Sequence, residues 1–176
     1  MYWEDYEKFV ERICQELAVV EGVLVFPKRE YAAISGRNIE IDLSFELEAL
    51  GSRIFGIIEC KHYKRRISAV QVLAFAKTIE LVRAHKGIFV STVGFQTGAI
   101  IEAEKEGIAL ALLRPNPTDS LKYLVRSPSD DSVLLQGKIR LGSHSPLADN
   151  DIAFHTASQL IELLWRFNKP RGSGRL

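Results

Sequence analysis

Hydrophobic residues near the N-terminus recur every three or four positions. Such spacing is typical of a helix with one apolar face, and it predicts a helix over about residues 3–18, with Tyr6, Phe9, Val10, Ile13, Cys14 and Leu17 on that face. The segment "GVLVFP" follows. Its continuous apolar character predicts a short strand that ends at Pro27, because proline cannot donate a ladder hydrogen bond.

The next segment, "NIEIDLSFEL", alternates apolar and polar residues. A period of two predicts a strand over residues 38–47, with one face formed by Ile39, Ile41, Leu43, Phe45 and Leu47 and the other by Glu40, Asp42 and Ser44. A second apolar strand, "RIFGIIEC", follows the glycine-containing stretch "EALGS". A hairpin is the simplest connection between these two strands.

Helical and strand patterns then alternate along the chain. The segment "SAVQVLAFAKTIELVRAH" predicts a helix with Ser68 as its N-cap. It is followed by a predicted strand "GIFVST", a helix "TGAIIEAEKEG" that stops at Gly107, and a strand "IALALL" before Pro115 and Pro117. The sequence thus predicts an α/β core with the element order αβββαβαβ.

The pattern changes after Pro115. Loop-like stretches surround "VLLQGKIRLG", which predicts a strand or hairpin arm, and "IAFHTASQLIELLWRF" predicts a final helix before the disordered tail "NKPRGSGRL". We therefore expect a core over residues 1–115 and a C-terminal extension over residues 116–176. The extension is expected to pack on the core or on a dimer partner.

Composition restricts the functional classes. The chain has 176 residues with 23 basic and 22 acidic side chains, a formal net charge of +1, so contact with a polyanion must come from a local patch. No basic, apolar leader and no stretch of about 20 apolar residues is present, which favours a cytoplasmic protein without a membrane span. Cys14 and Cys60 are the only cysteines, and reduced, buried roles are expected for both.

The candidate chemistry lies at the end of the strand "FGIIECK". Residues two apart on a strand share a face, so Glu59 and Lys61 project together while Cys60 points away. Asp42, on the partner strand of the predicted hairpin, brings a second carboxylate. These carboxylates, with the Cys60 backbone carbonyl as a third oxygen, suit Mg²⁺. A lysine beside such an ion orients a nucleophile or stabilises a developing phosphorane, so the pattern indicates phosphodiester hydrolysis by metal-activated water.

Three segments together carry a family resemblance. The segments "EID" and "IIECK", separated by a hairpin, and the stretch "VQVLAFAKTIELVRAHKGIFVSTVGFQTGAIIEAEKEGIALALL" resemble the PD-(D/E)xK nuclease superfamily, most closely Mrr-like restriction endonucleases, over about residues 3–113. The resemblance implies a restriction-endonuclease-like three-layer fold with a central mixed sheet flanked by helices. The predicted nuclease core is therefore residues 1–115.

The same resemblance implies roles for individual residues. Asp42 and Glu59 bind Mg²⁺, and Lys61 is catalytic. Glu7 on the first helix and Gln71 on the helix after Lys61 complete the catalytic set. Two alternatives remain open for the acids: Glu11 in place of Glu7, one turn along the first helix, and Glu40 in place of Asp42 if the strand register is displaced. Ile41 stands where the superfamily name has a proline.

Two further segments are candidate DNA contacts. Lys64, Arg65 and Arg66 follow the site, with His62 and Tyr63 before them, and would meet a phosphate backbone. The alternative is an ordinary solvated loop. Gln96 and Thr97 open a predicted helix, where backbone amides can contact phosphate. The alternative there is a simple helix cap by Thr97 with Phe95 packed inward.

These observations predict a Mg²⁺-dependent endodeoxyribonuclease, with Mn²⁺ as a substitute, that acts in restriction or DNA repair. The expected partners are DNA and a second copy of the chain, with no membrane and no small-molecule cofactor. The alternative is a catalytically silent DNA-binding or scaffold module on the same fold, although such a module would typically have lost one of the three charges at Asp42, Glu59 and Lys61. A nucleotide-processing enzyme is disfavoured because no glycine-rich phosphate loop follows a strand.

Overall fold

The elements follow the predicted order from the first helix to the fifth strand. In a computed structural model, which describes residues 3–115, 122–126 and 133–138, the helices are α1 (Trp3–Glu21), α2 (Ala69–Val82) and α3 (Thr97–Lys105). The strands are β1 (Leu24–Ala32), β2 (Asn38–Ala49), β3 (Ser52–Lys61), β4 (Lys86–Ser91), β5 (Ala109–Pro115), β6 (Lys122–Arg126) and β7 (Val133–Lys138). The predicted order αβββαβαβ is confirmed, and β7 confirms a strand in "VLLQGKIRLG".

The strands form one mixed sheet in sequence order, from β1 at one edge to β7. Strand β2 pairs antiparallel with both β1 and β3, whereas β4 pairs parallel with both β3 and β5. Strands β5, β6 and β7 are again antiparallel. Strand β6 was not predicted from the sequence. Because β3, β4 and β5 are parallel, their carboxyl ends lie at the same end of the sheet. Lys61 is the last residue of β3 at that end.

The predicted hairpin between β2 and β3 is confirmed. Leu50 and Gly51 connect the strands, and both have positive φ angles, 52° and 74°, as a two-residue turn of this kind requires. From the turn, pairing continues as far as Leu43 opposite Ile58. Beyond that pair the two strands part. Asp42 on β2 and Glu59 on β3 are the next residues on either side of the opening.

Helices cover both faces of the sheet. Tyr6, Phe9, Val10 and Ile13 of α1 pack on one face against residues that include Leu43, Ile58, Cys60 and Val90. On the other face, α2 and α3 contribute Val72, Phe75, Val82, Ala99 and Ala103 to a second cluster with Ile41, Ile57, Phe89 and Leu110. The fold is therefore a three-layer α/β structure, as expected for a restriction-endonuclease-like core.

The prediction that five apolar residues of β2 share one face is wrong. Leu43, Phe45 and Leu47 pack on the α1 side, but Ile39 and Ile41 belong to the cluster beneath α2 and α3. The change of face occurs at the point where pairing between β2 and β3 has ended. Without the constraint of β3 on this side, the strand is free to twist.

The prediction that the first strand ends at Pro27 is also wrong. Strand β1 continues to Ala32, which is possible because it is the edge strand of the sheet and proline is tolerated there. Strand β5 also includes a proline, Pro115, which is its last residue and lies opposite Tyr123 of β6.

The predicted final helix and disordered tail lie outside the described residues. Among the described helices, none has both the length and the apolar character needed to cross a membrane. The division into a core and an extension at residue 115 stays a prediction.

Candidate active site

Asp42, Glu59 and Lys61 meet where β2 and β3 part. The ammonium of Lys61 pairs with Glu59 Oε1 and lies 3.8 Å from Asp42 Oδ2. All three side chains are largely withdrawn from solvent, with exposed fractions of 25% for Lys61, 24% for Glu59 and 14% for Asp42. Cys60 points to the opposite face and is buried against α1, as the strand periodicity predicts.

A backbone hydrogen bond fixes Asp42 in this position. The amide of Cys60 donates to Asp42 Oδ2 at 2.9 Å. This bond supplies an acceptor for a β3 amide just beyond the last residue pair of the hairpin, where a buried donor without a partner would be costly. The parting of the strands thus places the Asp42 carboxylate beside Glu59.

Electrostatics set the protonation preferences of the cluster. Burial and the charge of Asp42 raise the pKa of Glu59, although Lys61 acts in the opposite direction. For Lys61, burial favours the neutral amine, but the charge and hydrogen bond of Glu59, with the charge of Asp42, raise its pKa overall. Lys61 is therefore held as a cation between two carboxylates.

Glu7 adds a third carboxylate from α1. Tyr6 anchors this part of the helix because it is fully buried and donates a hydrogen bond to the Leu113 carbonyl at 3.1 Å. Partial burial, with the charge of Asp42 as the next contribution, raises the pKa of Glu7 to about 7. Glu11, the alternative to Glu7, accepts a hydrogen bond from Gln15 at 2.8 Å, and both glutamates line a cavity that borders Asp42.

The donor chemistry of this cluster fits a hard divalent cation. Asp42 acts electrostatically on both Glu7 and Glu59, and each carboxylate is harder to ionise as a result. A cation beside them would relieve that repulsion, and carboxylate oxygens are the ligands that Mg²⁺ prefers. Within residues 3–115, 122–126 and 133–138, no group of three or more His, Cys, Asp or Glu side chains is arranged to hold a metal ion. Asp42 and Glu59 would therefore need further oxygen ligands, and the Cys60 carbonyl stays a prediction.

Glu40, the alternative to Asp42, faces a different partner. Its carboxylate pairs with Lys28 of β1 at 2.8 Å, and its side chain is 59% exposed. The structure thus brings Asp42, rather than Glu40, to Glu59 and Lys61.

Gln71 takes part in the N-terminal cap of α2. Its side-chain oxygen accepts hydrogen bonds from the Ser68 amide at 2.9 Å and from the Ser68 hydroxyl at 3.1 Å. Ser68 is the N-cap residue, as predicted, and the pair forms a capping box. A catalytic role for Gln71 stays a prediction, and its observed hydrogen bonds stabilise the helix.

The residues after Lys61 form a charged, exposed segment. Lys64, Arg65 and Arg66 are exposed, as contact with DNA or with solvent requires. His62 packs against Tyr6, with ring centroids 5.4 Å apart, and its buried Nδ1 has no hydrogen-bond partner among the described residues. The periodicity of β3 alone does not predict that His62 packs against α1.

Gln96 and Thr97 are exposed at the start of α3. Gln96 is the N-cap residue and Thr97 is the first helical residue, so the alternative in which Thr97 caps the helix is wrong. Phe95 is buried, as that alternative expected. Because the backbone amide of Gln96 bonds to the Ile67 carbonyl, both side chains are held near the start of α2.

Lys28 is a neighbour of the site that the sequence analysis missed. It lies opposite Asp42 in the antiparallel pairing, between the registered pairs Pro27–Leu43 and Arg29–Ile41. The first strand was expected to end at Pro27, so Lys28 was not assigned to a strand and its position beside Asp42 was not predicted. A lysine on each neighbouring strand thus flanks Asp42: Lys28 on β1 and Lys61 on β3.

Comparison with known proteins places these residues in a family. A model of the restriction endonuclease family Mrr_cat matches residues 1–113, which include Glu7, Asp42, Glu59 and Lys61. No curated protein gives a significant sequence match.

Two solved structures are similar in part. One is described as a protein of unknown function, AF1548, with 18% identity and a TM-score of 0.49; the alignment covers 59% of this chain and 56% of the other. The second is the MspJI restriction endonuclease in complex with a 27-mer oligonucleotide, with 18% identity, a TM-score of 0.41, and 61% of this chain and 24% of the other covered. The family match spans most of the chain and includes the whole charge cluster. The chain therefore belongs to the restriction endonuclease family that Mrr_cat represents.

Proposed function

We propose that this protein is a Mg²⁺-dependent endodeoxyribonuclease that hydrolyses DNA phosphodiester bonds, with Mn²⁺ as a substitute. The observation that carries the proposal is the cluster of Asp42, Glu59 and Lys61 at the point where β2 and β3 part. Membership of the restriction endonuclease family supports a nuclease. The two carboxylates and the lysine supply the metal ligands and the cation that such a reaction needs.

Asp42 and Glu59 would hold the divalent ion, with Glu7 as a further carboxylate near Asp42. When bound, the ion supplies Lewis acidity and activation of water. In the absence of the ion, Lys61 compensates part of the negative charge of Asp42 and Glu59.

Lys61 acts on the phosphate. Its ammonium sits between the two carboxylates and can donate a hydrogen bond to a non-bridging phosphate oxygen. Negative charge grows on that oxygen as water attacks, so a fixed cation stabilises the transition state more than the ground state. Partial burial strengthens this interaction because less solvent screens it.

The proposed DNA path extends from the site along exposed basic residues. Lys64, Arg65 and Arg66 immediately follow β3 and its catalytic lysine. Gln96 and Thr97 lie at the start of α3, where side-chain and backbone donors can meet a phosphate. These contacts would position the backbone without reading base sequence.

One such core carries one active site. Cleavage of both strands of a duplex would therefore require a dimer or two sequential nicks. We propose restriction or DNA repair as the biological setting.

The test uses purified full-length protein and supercoiled plasmid DNA. Incubation with Mg²⁺ or Mn²⁺ should give nicked or linear DNA, and EDTA should prevent it. The Glu59→Gln protein, purified in parallel, controls for a contaminating nuclease. If the wild type binds DNA but cuts it with neither ion, the chain is a DNA-binding module on the same fold, and the nuclease proposal is wrong.

A further inference from the structure

A cavity of about 310 Å³ opens beside the candidate active site. Helix α1 contributes Glu7 and Lys8 to its lining, β1 contributes Pro27 and Lys28, and Asp42 of β2 borders it. Asp42 therefore belongs both to the charge cluster with Glu59 and Lys61 and to the lining of this cavity. Whatever binds in the cavity lies directly next to the proposed reaction centre.

We propose that this cavity binds the nucleotide adjoining the scissile phosphate, and that Lys28 contacts the phosphate of that nucleotide. The inference rests on the proposed function and adds the position of the substrate strand. It assigns a DNA contact to β1, on the opposite side of Asp42 from Lys61 and the basic segment after β3.

The dimensions suit a single nucleotide. Small-ligand pockets have volumes of roughly 300–1,000 Å³, and this cavity is at the lower end of that range. Its lining is also chemically mixed. Pro27 and Leu43 offer apolar contact, while Glu11 offers an acceptor for an N–H group of a base. Lys8 and Lys28 offer the positive charge that a phosphate needs.

The position of Lys28 follows from the strand register. Directly opposite residues on antiparallel strands have Cβ atoms about 4.5–5.5 Å apart, and Lys28 lies opposite Asp42. Lys28 thus stands beside Asp42 on one side as Lys61 does on the other. A DNA strand that crosses the end of the sheet from β3 towards β1 would pass the basic segment at Lys64–Arg66, then Lys61, and then Lys28.

The ion pair between Lys28 and Glu40 can be exchanged at little cost. The Lys28 ammonium pairs with Glu40 at 2.8 Å, but the side chains are 39% and 59% exposed. Ion pairs with this much exposure contribute about 0–1 kcal/mol to stability. Because Glu40 offers Lys28 a carboxylate where the substrate would offer a phosphate, Glu40 competes with DNA for the same ammonium.

This competition predicts opposite effects for the two members of the pair. Lys28→Gln should weaken DNA binding, whereas Glu40→Gln should leave it unchanged or strengthen it. If the pair had only a structural role, Lys28→Gln and Glu40→Gln would instead change DNA affinity in the same direction. The Lys77–Glu80 pair on α2, at 2.7 Å and with both side chains more than half exposed, provides the matched controls Lys77→Gln and Glu80→Gln.

The experiment measures binding of a fluorescent duplex oligonucleotide by anisotropy in EDTA at several NaCl concentrations. For Lys28→Gln, the slope of log K against log [NaCl] should fall in magnitude by about one, the effect of losing one phosphate contact. Lys77→Gln should keep the wild-type slope. Thermal denaturation of each variant verifies folding. An unchanged slope and affinity for Lys28→Gln would overturn the inference.

A modified substrate then locates the contact. After the wild-type cleavage position has been mapped, a neutral methylphosphonate is placed at each flanking phosphate in turn. At one of these positions the modification should weaken wild-type binding but have no further effect on Lys28→Gln; equal losses in both proteins at every position would contradict the assignment. If the wild type cleaves plasmid with Mg²⁺ and Lys28→Gln behaves as wild type, only this inference fails. If the wild type neither binds nor cuts DNA, the proposed function fails.

Discussion

The β2–β3 hairpin carries a cation and carboxylates at each of its two ends. Near the turn, Arg53 pairs with Glu46, and the Arg53 side chain is 67% exposed. At the other end, Lys61 is mostly buried and contacts both Glu59 and Asp42. The first arrangement is one exposed cation with one carboxylate, Glu46, whose side chain is 16% exposed. The second is one cation with two carboxylates, away from solvent.

This difference separates a surface ion pair from a candidate functional site. Solvent and salt screen the charge of an exposed cation such as Arg53, so its ion pair costs little to break. A partly buried cluster with surplus negative charge is unfavourable by itself, and burial with Asp42 raises the pKa of Glu59 accordingly. Such an arrangement is expected where an additional cation or a substrate completes the charge balance. If the two ends of the hairpin differ in this way, substitutions at each end should differ in their effect on cleavage.

The largest effect is expected from Asp42→Asn or Glu59→Gln. Each substitution removes a proposed metal ligand, so plasmid cleavage with Mg²⁺ should be abolished. Without metal, the Tm should hold or rise, because one of two mutually repelling carboxylates has gone. Asparagine at position 42 can still accept the hydrogen bond from the Cys60 amide. Plasmid nicking assays and thermal denaturation in EDTA measure both effects. Undiminished cleavage by both variants would disprove the metal-site assignment.

Lys61→Ala should separate catalysis from metal binding. Loss of one preorganised cation at a developing oxyanion typically lowers the rate on the order of 10²- to 10³-fold. Mg²⁺ affinity should be kept or increased, because a positive charge beside Asp42 and Glu59 has been removed. Single-turnover cleavage gives the rate, and the rise in Tm with added Mg²⁺ gives the affinity. A variant that cuts at the wild-type rate would show that Lys61 only balances charge.

Glu7→Gln should change the pH dependence of stability. The pKa of Glu7 is raised in the folded protein from 4.5 to about 7, so its stabilising contribution is complete below about pH 4.5 and is lost as the pH rises through about 7. Glutamine does not titrate. In EDTA, the Tm of Glu7→Gln relative to wild type should therefore increase between these pH values and then level off.

The effect should be moderate because Glu7 is only partly buried. Saturating Mg²⁺ should reduce it, since a cation near Asp42 favours ionised Glu7. A constant Tm difference across the pH range would show that the pKa of Glu7 is not raised in the folded protein.

Much of this site was predictable from local pattern. The two-residue strand period places Glu59 and Lys61 together and Cys60 on the other face, and the geometry agrees. The glycine in "EALGS" indicates the hairpin that brings Asp42 to them. The apolar periodicity of α1 indicates which of its residues pack on the sheet, whereas Glu7 was indicated only by the family resemblance.

Other features depend on long-range pairing and could not be predicted in this way. Pro27 is compatible with a strand only because β1 is at the sheet edge, and the position of Lys28 opposite Asp42 follows from that pairing. The change of face in β2 depends on where its pairing with β3 ends. The family resemblance implied a catalytic role for Gln71. Its hydrogen bonds to Ser68 depend on the geometry of the helix cap and could not be predicted from the sequence.

The smallest effect is expected from Arg53→Ala at the turn end of the hairpin. Arg53 is exposed, so solvent screens its pair with Glu46 and the free energy of unfolding should fall only slightly. Denaturation in urea measures this loss, and added NaCl should reduce it because salt screens an exposed pair. Single-turnover cleavage should proceed at the wild-type rate. Arg53→Ala and Lys61→Ala each remove one cation from the same strand, so the overall charge changes equally. A similar loss of rate in both would mean that the general positive field of the protein matters for cleavage, and that the position of Lys61 between Asp42 and Glu59 does not.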